Sequence, residues 1–392
     1  VLGALVRLVF LWSSRGDPSF DHPLVDAKTY HDLARAFPAT GWNEKFLWQA
    51  VFYPAWLTFV YKLFGVSVLA ATVLQTLLGG LTCALTCRLG TAVGNRQIGL
   101  GAGLIMVFCG PVIFFETQLL ATGWAIFWMA ALTWWLVRCL SRPTAKALLA
   151  LGLGLALAVY TRPTFLPLGL VMLIFVVQAD PMPGAKPARR RLLNAGVIVA
   201  GFLAVAGPAS VFFHTTTGHL GLVPPSGGIN LFIGNNSDYQ HTINIRPGLD
   251  WANLVAEPAR HGYEADPWAG NPYFRGQALQ FARTRPGAFL AGLGQKTLTL
   301  FSSREMPRNL DIYLHRQWSS LLAVSTWKLG AWGFPFGLIF PFALVGLVRT
   351  GGRRLLVVKV LLTVAAAALV LVFVSARYRV TLMPLVAVLA AS

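Results

Sequence analysis

The chain consists of long uncharged apolar runs separated by shorter polar segments. Runs of roughly 17 to 25 such residues are each long enough to cross the hydrocarbon core as a helix. They fall at 63–87, 98–115, 118–137, 163–179, 192–213, 329–348 and 360–376. Three more stretches are shorter or interrupted: 1–14, which carries Arg7, then 147–161, and 380–392. The pattern predicts an all-α polytopic membrane protein with about ten spans. A first residue that is not Met and a last run that stops at Ser392 read as the ends of an excerpt from a longer chain.

The polar segments have their own pattern. Residues 26–37 read as an amphipathic helix that ends before Pro38, with Tyr30, Leu33 and Phe37 on one stripe. A second juxtamembrane helix starts with Pro54 at its first position and lays Trp56, Phe59, Val60 and Leu63 on the membrane interface. Residues 223–228 are turn-rich, 229–233 are a short apolar stretch, and Gly234-Asn235-Asn236 predicts a tight, left-handed turn. Residues 271–303 are helical in character and broken at Pro286. The organisation is therefore a core of spans over 1–213 with a first outer loop at 15–62, a large outer loop with a small mixed domain at 214–328, and C-terminal spans at 329–392.

Composition supports this picture: 56% of residues are hydrophobic and 12% are charged. The formal net charge of +18 would point to nucleic acid in a soluble protein, but here the charges follow topology. Basic clusters at Arg88/Arg96, Arg138–Lys146, Lys186–Arg191 and Arg349–Lys359 lie between alternate pairs of spans, which makes them cytoplasmic. Thirteen of the fourteen acids, all except Asp180, and all seven histidines fall in the other segments. Parity of these loops also rejects 287–303, which carries Lys296, as a span. The four cysteines lie in or beside spans, so no disulfide framework is implied, and no His spacing suits zinc.

Chemistry is thus concentrated on the outer face. Asp26 stands where the chain leaves its first span and starts a helix; an aspartate so placed is, taken alone, more often a helix cap than a catalytic carboxylate. Glu116 is the only acid in a short turn between two spans. Arg162, Arg377 and Arg379 stand at outer span ends, where they can meet phosphate or snorkel to headgroups. Lys296 has the same two options. Tyr30 lies one helical turn beyond Asp26, with His31 beside it.

Several stretches carry a family resemblance. Asp26–Ala34 followed by Phe46–Pro54 resembles the first outer loop of the GT-C superfamily, in particular bacterial relatives of protein O-mannosyltransferases and the lipid A aminoarabinose transferase. Phe114–Leu120, Thr161–Pro163, Gly227–Asn236 and Ser375–Arg379 extend the resemblance in the same order. Val51 departs from it, since many relatives have Pro there. The resemblance implies a GT-C fold and an inverting transfer of a hexose or pentose from a polyprenyl-phosphate donor to a hydroxyl of a lipid, glycan or protein, outside a bacterial inner membrane. It also implies roles: Asp26 as general base, Glu116 as a second carboxylate that orients the acceptor or Asp26 or helps hold a divalent cation, and Arg162, Arg377, Arg379 and Lys296 as donor-phosphate ligands. Tyr30 and His31 would contact sugar or acceptor. Alternatives are a ligase or polymerase that uses lipid diphosphates, and a transporter, which would place ionisable groups in mid-span.

Overall fold

A computed structural model describes residues 1–178, 187–221, 223, 225–264, 268–307 and 310–392. Asp180, Lys186, Asp266 and Asn309 lie outside them. Among the described residues the chain is helical except for one hairpin, β1 Trp327–Leu329 paired antiparallel with β2 Trp332–Phe334.

The first part runs α1 Leu2–Ser13, α2 Asp26–Thr40, α3 Glu44–Trp48, α4 Phe52–Phe64, α5 Val68–Val93, α6 Arg96–Phe108, α7 Gly110–Thr117, α8 Thr122–Ser141, α9 Ala145–Thr161, α10 Leu166–Val177 and α11 Pro187–Thr217. The large loop holds α12 Gly227–Gly234, α13 Tyr239–Thr242, α14 Leu249–Arg260, α15 Gly270–Thr284, α16 Pro286–Leu300, α17 Ile312–His315 and α18 Ser320–Ser325. After the hairpin come α19 Phe336–Arg349, α20 Arg353–Leu371, the single turn α21 Ala376–Arg379, and α22 Met383–Ala390.

All ten expected stretches contain helix, but fewer than ten reach span length. Four helices, α5, α8, α11 from Arg189 and α20, are long and apolar enough to cross a membrane, and α6 with α7 makes a fifth bent by 58°. The remaining apolar helices are too short to bridge about 30 Å alone at 1.5 Å per residue. The molecule is a multi-pass helical membrane protein. Its core is the packing of α5 against α6 and α8, and of α9 against α11. The α9–α11 crossing is close because small residues face backbone there: a Cβ on Gly152 would lie 2.0 Å from the Ile198 carbonyl oxygen.

Local expectations fail where tertiary contacts take over. Helix α2 runs through Pro38 to Thr40. The proline falls in the last turn, where few further helical hydrogen bonds are lost, and Gly41 at φ +58 ends the helix. The apolar stretch 229–233 is the middle of α12, held by burial of Ile229 and Ile233 against Phe274. No left-handed turn follows it. Asn235 is at φ −143, and its side-chain amide donates to the carbonyls of Leu231 (2.9 Å) and Leu371 (2.7 Å). On α4, Phe59 and Leu63 are exposed as expected, but Val60 is buried in the core.

Candidate active site at the ends of the helices

Asp26 is not the cap of α2. It is the first helical residue, and Val25 occupies the cap position at φ +53, ψ −119. Val25 is the one positive-φ residue other than glycine among the described residues. A β-branched side chain is disfavoured there, and such strain persists only where surrounding contacts enforce it. The result aims the Asp26 carboxylate at Arg377, whose Nη1 donates to Asp26 Oδ2. The pair is only partly enclosed, with 17% of the Arg377 side chain and 33% of the Asp26 side chain exposed.

Arg162 joins this cluster from the turn between α9 and α10. It donates to Thr381 Oγ1 (2.7 Å), Thr122 Oγ1 (2.8 Å) and the Arg377 carbonyl (3.3 Å). Its guanidinium lies 4.5 Å from the centre of the Tyr378 ring, and that of Arg377 lies 5.0 Å from the same ring. Burial pulls the Arg162 guanidinium down to about 10, so it stays charged at neutral pH. Burial also acts downward on Arg377, but the Asp26 carboxylate more than offsets it and the net shift is upward.

Tyr30 faces the same group: burial first, then the Asp26 charge, raises its phenol, while Arg377 and Arg162 act the other way. Its ring meets Tyr53 edge-on at 5.1 Å. Tyr53 donates to Gln75 Oε1 (2.7 Å), and Gln75 Nε2 donates to the carbonyls of Glu116 and Gln118. Arg246, from the large loop, was not singled out by sequence. Burial lowers its guanidinium, Asp26 opposes that shift and Arg377 adds to it. An arginine ahead of a Pro-Gly turn carries no local signal of such a role; only the fold brings it to Asp26.

The other expected residues have different partners. Glu116 lies in α7 rather than in a turn, fully buried, and its Oε2 accepts from Arg7 Nε at 2.6 Å. Arg7 also donates to the carbonyls of Gly3 and Met106, both at 3.1 Å. Gly79 makes room for the pair, since a Cβ there would lie 2.5 Å from Arg7 Nε. Arg379 is enclosed by the end of the large loop: it pairs with Glu305 at 2.9 Å, donates to the Ser302 and Arg304 carbonyls, and sits 4.0 Å over the Phe336 ring. His31 Nδ1 is 2.7 Å from Tyr61 Oη, and burial lowers its pKa.

Lys296 is buried and donates to Gly234 O (3.0 Å), Asn235 Oδ1 (2.9 Å) and Val372 O (3.4 Å). One ammonium thus sits at the carbonyl ends of both α12 and α20, where the helix dipoles favour a cation. Burial brings it down to about 8. The two ends meet so closely that a Cβ on Gly234 would fall 1.5 Å from Val372 O. Gly234→Ala is therefore expected to lower Tm by several degrees and to loosen the large loop, read by thermal unfolding and by proteolysis within 214–328; an unchanged Tm would mean that the two helix ends do not meet.

Among the described residues no three His, Cys, Asp or Glu side chains form a metal-sized group. Glu116 is turned to Arg7 and Asp26 to Arg377, so a cation shared by these two acids would have to displace both arginines.

No protein-family model and no curated protein matches the chain. Solved structures do. The apo oligosaccharyltransferase of Archaeoglobus fulgidus superposes over 100% of this chain and 49% of its own, with TM-score 0.54 and 12% identity. The same archaeal enzyme, AglB, in complex with an inhibitory peptide and a dolichol-phosphate gives TM-score 0.54 and 13% identity. ArnT from Cupriavidus metallidurans bound to undecaprenyl phosphate matches over 99% of this chain and 77% of its own, with TM-score 0.42 and 16% identity. The chain spans about half the length of the archaeal enzyme. It shares the membrane fold of that archaeal oligosaccharyltransferase.

Proposed function

We propose that the protein is an inverting glycosyltransferase that moves a sugar from a polyprenyl-phosphate donor to an acceptor hydroxyl at the outer face of the membrane, in bacteria that of the inner membrane. The observation that carries this reading is the Asp26–Arg377 pair, a partly exposed carboxylate set against a partly exposed guanidinium, with buried Arg162 beside it. An attacking hydroxyl must lose its proton as it reaches the anomeric carbon, and a carboxylate within hydrogen-bond reach takes it. The leaving group, a lipid phosphate, is already a stable anion. It needs no acid, unlike the alcohol leaving group of a glycosidase, but it does need positive charge.

Arg377, Arg162 and Arg246 supply that charge. Guanidinium groups bind phosphate oxygens in bidentate fashion. In the resting site Arg377 is occupied by Asp26. A donor phosphate competes for the same guanidinium, so donor binding releases the base, and the carboxylate becomes available when there is a sugar to transfer. Tyr30 lies beside both groups and orients the sugar or the acceptor. Glu116 serves the site through its backbone carbonyl and its pairing with Arg7 rather than as a base. The dolichol-phosphate in the archaeal complex supports the lipid-phosphate class of donor.

The test is to incubate the purified protein with polyprenyl-monophosphate or polyprenyl-diphosphate sugars and a membrane and secreted-protein extract as the source of acceptor hydroxyls, and to follow donor loss by mass spectrometry. Consumption of the monophosphate donor with release of free polyprenyl phosphate is expected. Turnover of diphosphate donors alone would replace this reading with a ligase or polymerase.

A further inference from the structure

A second polar group lies on the outer face, apart from the arginines. His315, at the end of α17 in the large loop, donates from Nδ1 to Asp17 Oδ2, in the segment that follows α1. The other oxygen, Asp17 Oδ1, accepts from Ser19 N (2.8 Å) and Ser19 Oγ (2.7 Å). The His315 ring is packed by Phe114 at 5.0 Å and Trp318 at 5.7 Å. A carboxylate that accepts from Nδ1 fixes the tautomer and leaves Nε2 as an acceptor. Nε2 has no hydrogen-bond partner among the described residues.

Asp17 and His315 line a cavity of about 40 Å³ that also touches Ala27, Thr72, Phe114 and Gln118. The cavity thus joins the first outer loop, α5, the end of α7 and the large loop. Its wall mixes hydroxyl and amide groups with aromatic and aliphatic side chains, a combination that suits a sugar edge. It contains no lysine or arginine, and Asp17 puts a carboxylate into it. A phosphate there would meet negative charge with nothing to offset it. The volume admits a few water-sized groups, enough for one hydroxylated edge of a ring. Ala27 follows Asp26 directly, so the cavity borders the helix turn that carries the base.

We propose that this cavity is a subsite for a neutral hydroxyl-bearing group, a sugar hydroxyl of either the donor or the acceptor, with His315 Nε2 as its hydrogen-bond acceptor and Asp17 as the residue that positions the ring. The proposal rests on the transferase reading and divides the labour of the outer face: phosphate goes to the arginines, hydroxyls to the histidine. A clasp between α1 and the large loop would also use an Asp–His pair, and Ser13 with Ser319 already makes one, Oγ to Oγ at 2.7 Å. A clasp alone has no use for a ligand.

The experiment is carbethoxylation of the purified protein in nanodiscs, free of glycoside detergent, with the rate at each histidine read by peptide mass spectrometry. Methyl glycosides serve as acceptor probe, a polyprenyl-phosphate hexose as donor probe, and glycerol 3-phosphate as anionic control. Modification of His315 is expected to slow several-fold with a methyl glycoside or with the hexose donor, whichever supplies the hydroxyl, while His22 and His241 react unchanged. In Asp17→Asn the amide donates to Nδ1 and forces the proton onto Nε2, so modification of His315 is expected to slow without any ligand. Protection by neither neutral probe, or equal protection by glycerol 3-phosphate, overturns the subsite. Since donor turnover by the wild type is measured separately, loss of protection with turnover intact removes this inference and leaves the transferase standing.

Discussion

Asp26→Asn is expected to lower kcat for sugar transfer by about 10²- to 10⁴-fold, the usual contribution of a general base, without raising the KM for donor. The substitution keeps shape and removes the charge. It also frees Arg377, so donor phosphate no longer competes with a carboxylate, and KM stays level or falls. Arg377 is only 17% exposed and loses its charge partner in this variant, so stability is measured alongside activity. Initial rates at saturating donor, with Tm measured on the same preparation, separate the two effects. Full activity in a well-folded Asp26→Asn protein would remove the base from the mechanism.

The second large effect concerns stability. Arg7→Met leaves Glu116 buried opposite an apolar side chain, and breaking a buried pair from one side costs about 3–5 kcal/mol. The variant is expected to unfold at much lower temperature or to fail to accumulate. Arg7→Met combined with Glu116→Leu removes both charges and is expected to recover most of the loss. The double variant then asks whether Glu116 has any part in chemistry. Transfer at near wild-type kcat is expected; a protein that folds like wild type yet transfers nothing would return Glu116 to the catalytic set.

The stretches of helix were legible because a run of apolar residues long enough to cross a bilayer has few other stable states, and because loop charge follows topology. Asp26, Arg162 and Arg377 were legible as residues at outer span ends that also fit a family pattern. Their mutual contact was not, since Asp26 and Arg377 are 351 positions apart. The same holds for Asp17 with His315, 298 positions apart, and for Arg246. Glu116 looked like a turn acid because it falls between two long apolar runs, 98–115 and 118–137; only the fold shows Arg7 waiting across from it. Helix α12 was missed because its glycines weaken local propensity, and its burial against α15 decides the outcome.

The Arg7–Glu116 pair also fixes a schedule. A chain made from its N-terminus exposes Arg7 to the membrane 109 residues before its partner exists. At roughly 5–20 residues per second that is a wait on the order of 5–20 s. Until α7 is made, Arg7 has no carboxylate to meet, so the contact that joins α1 to α7 closes only after both helices exist.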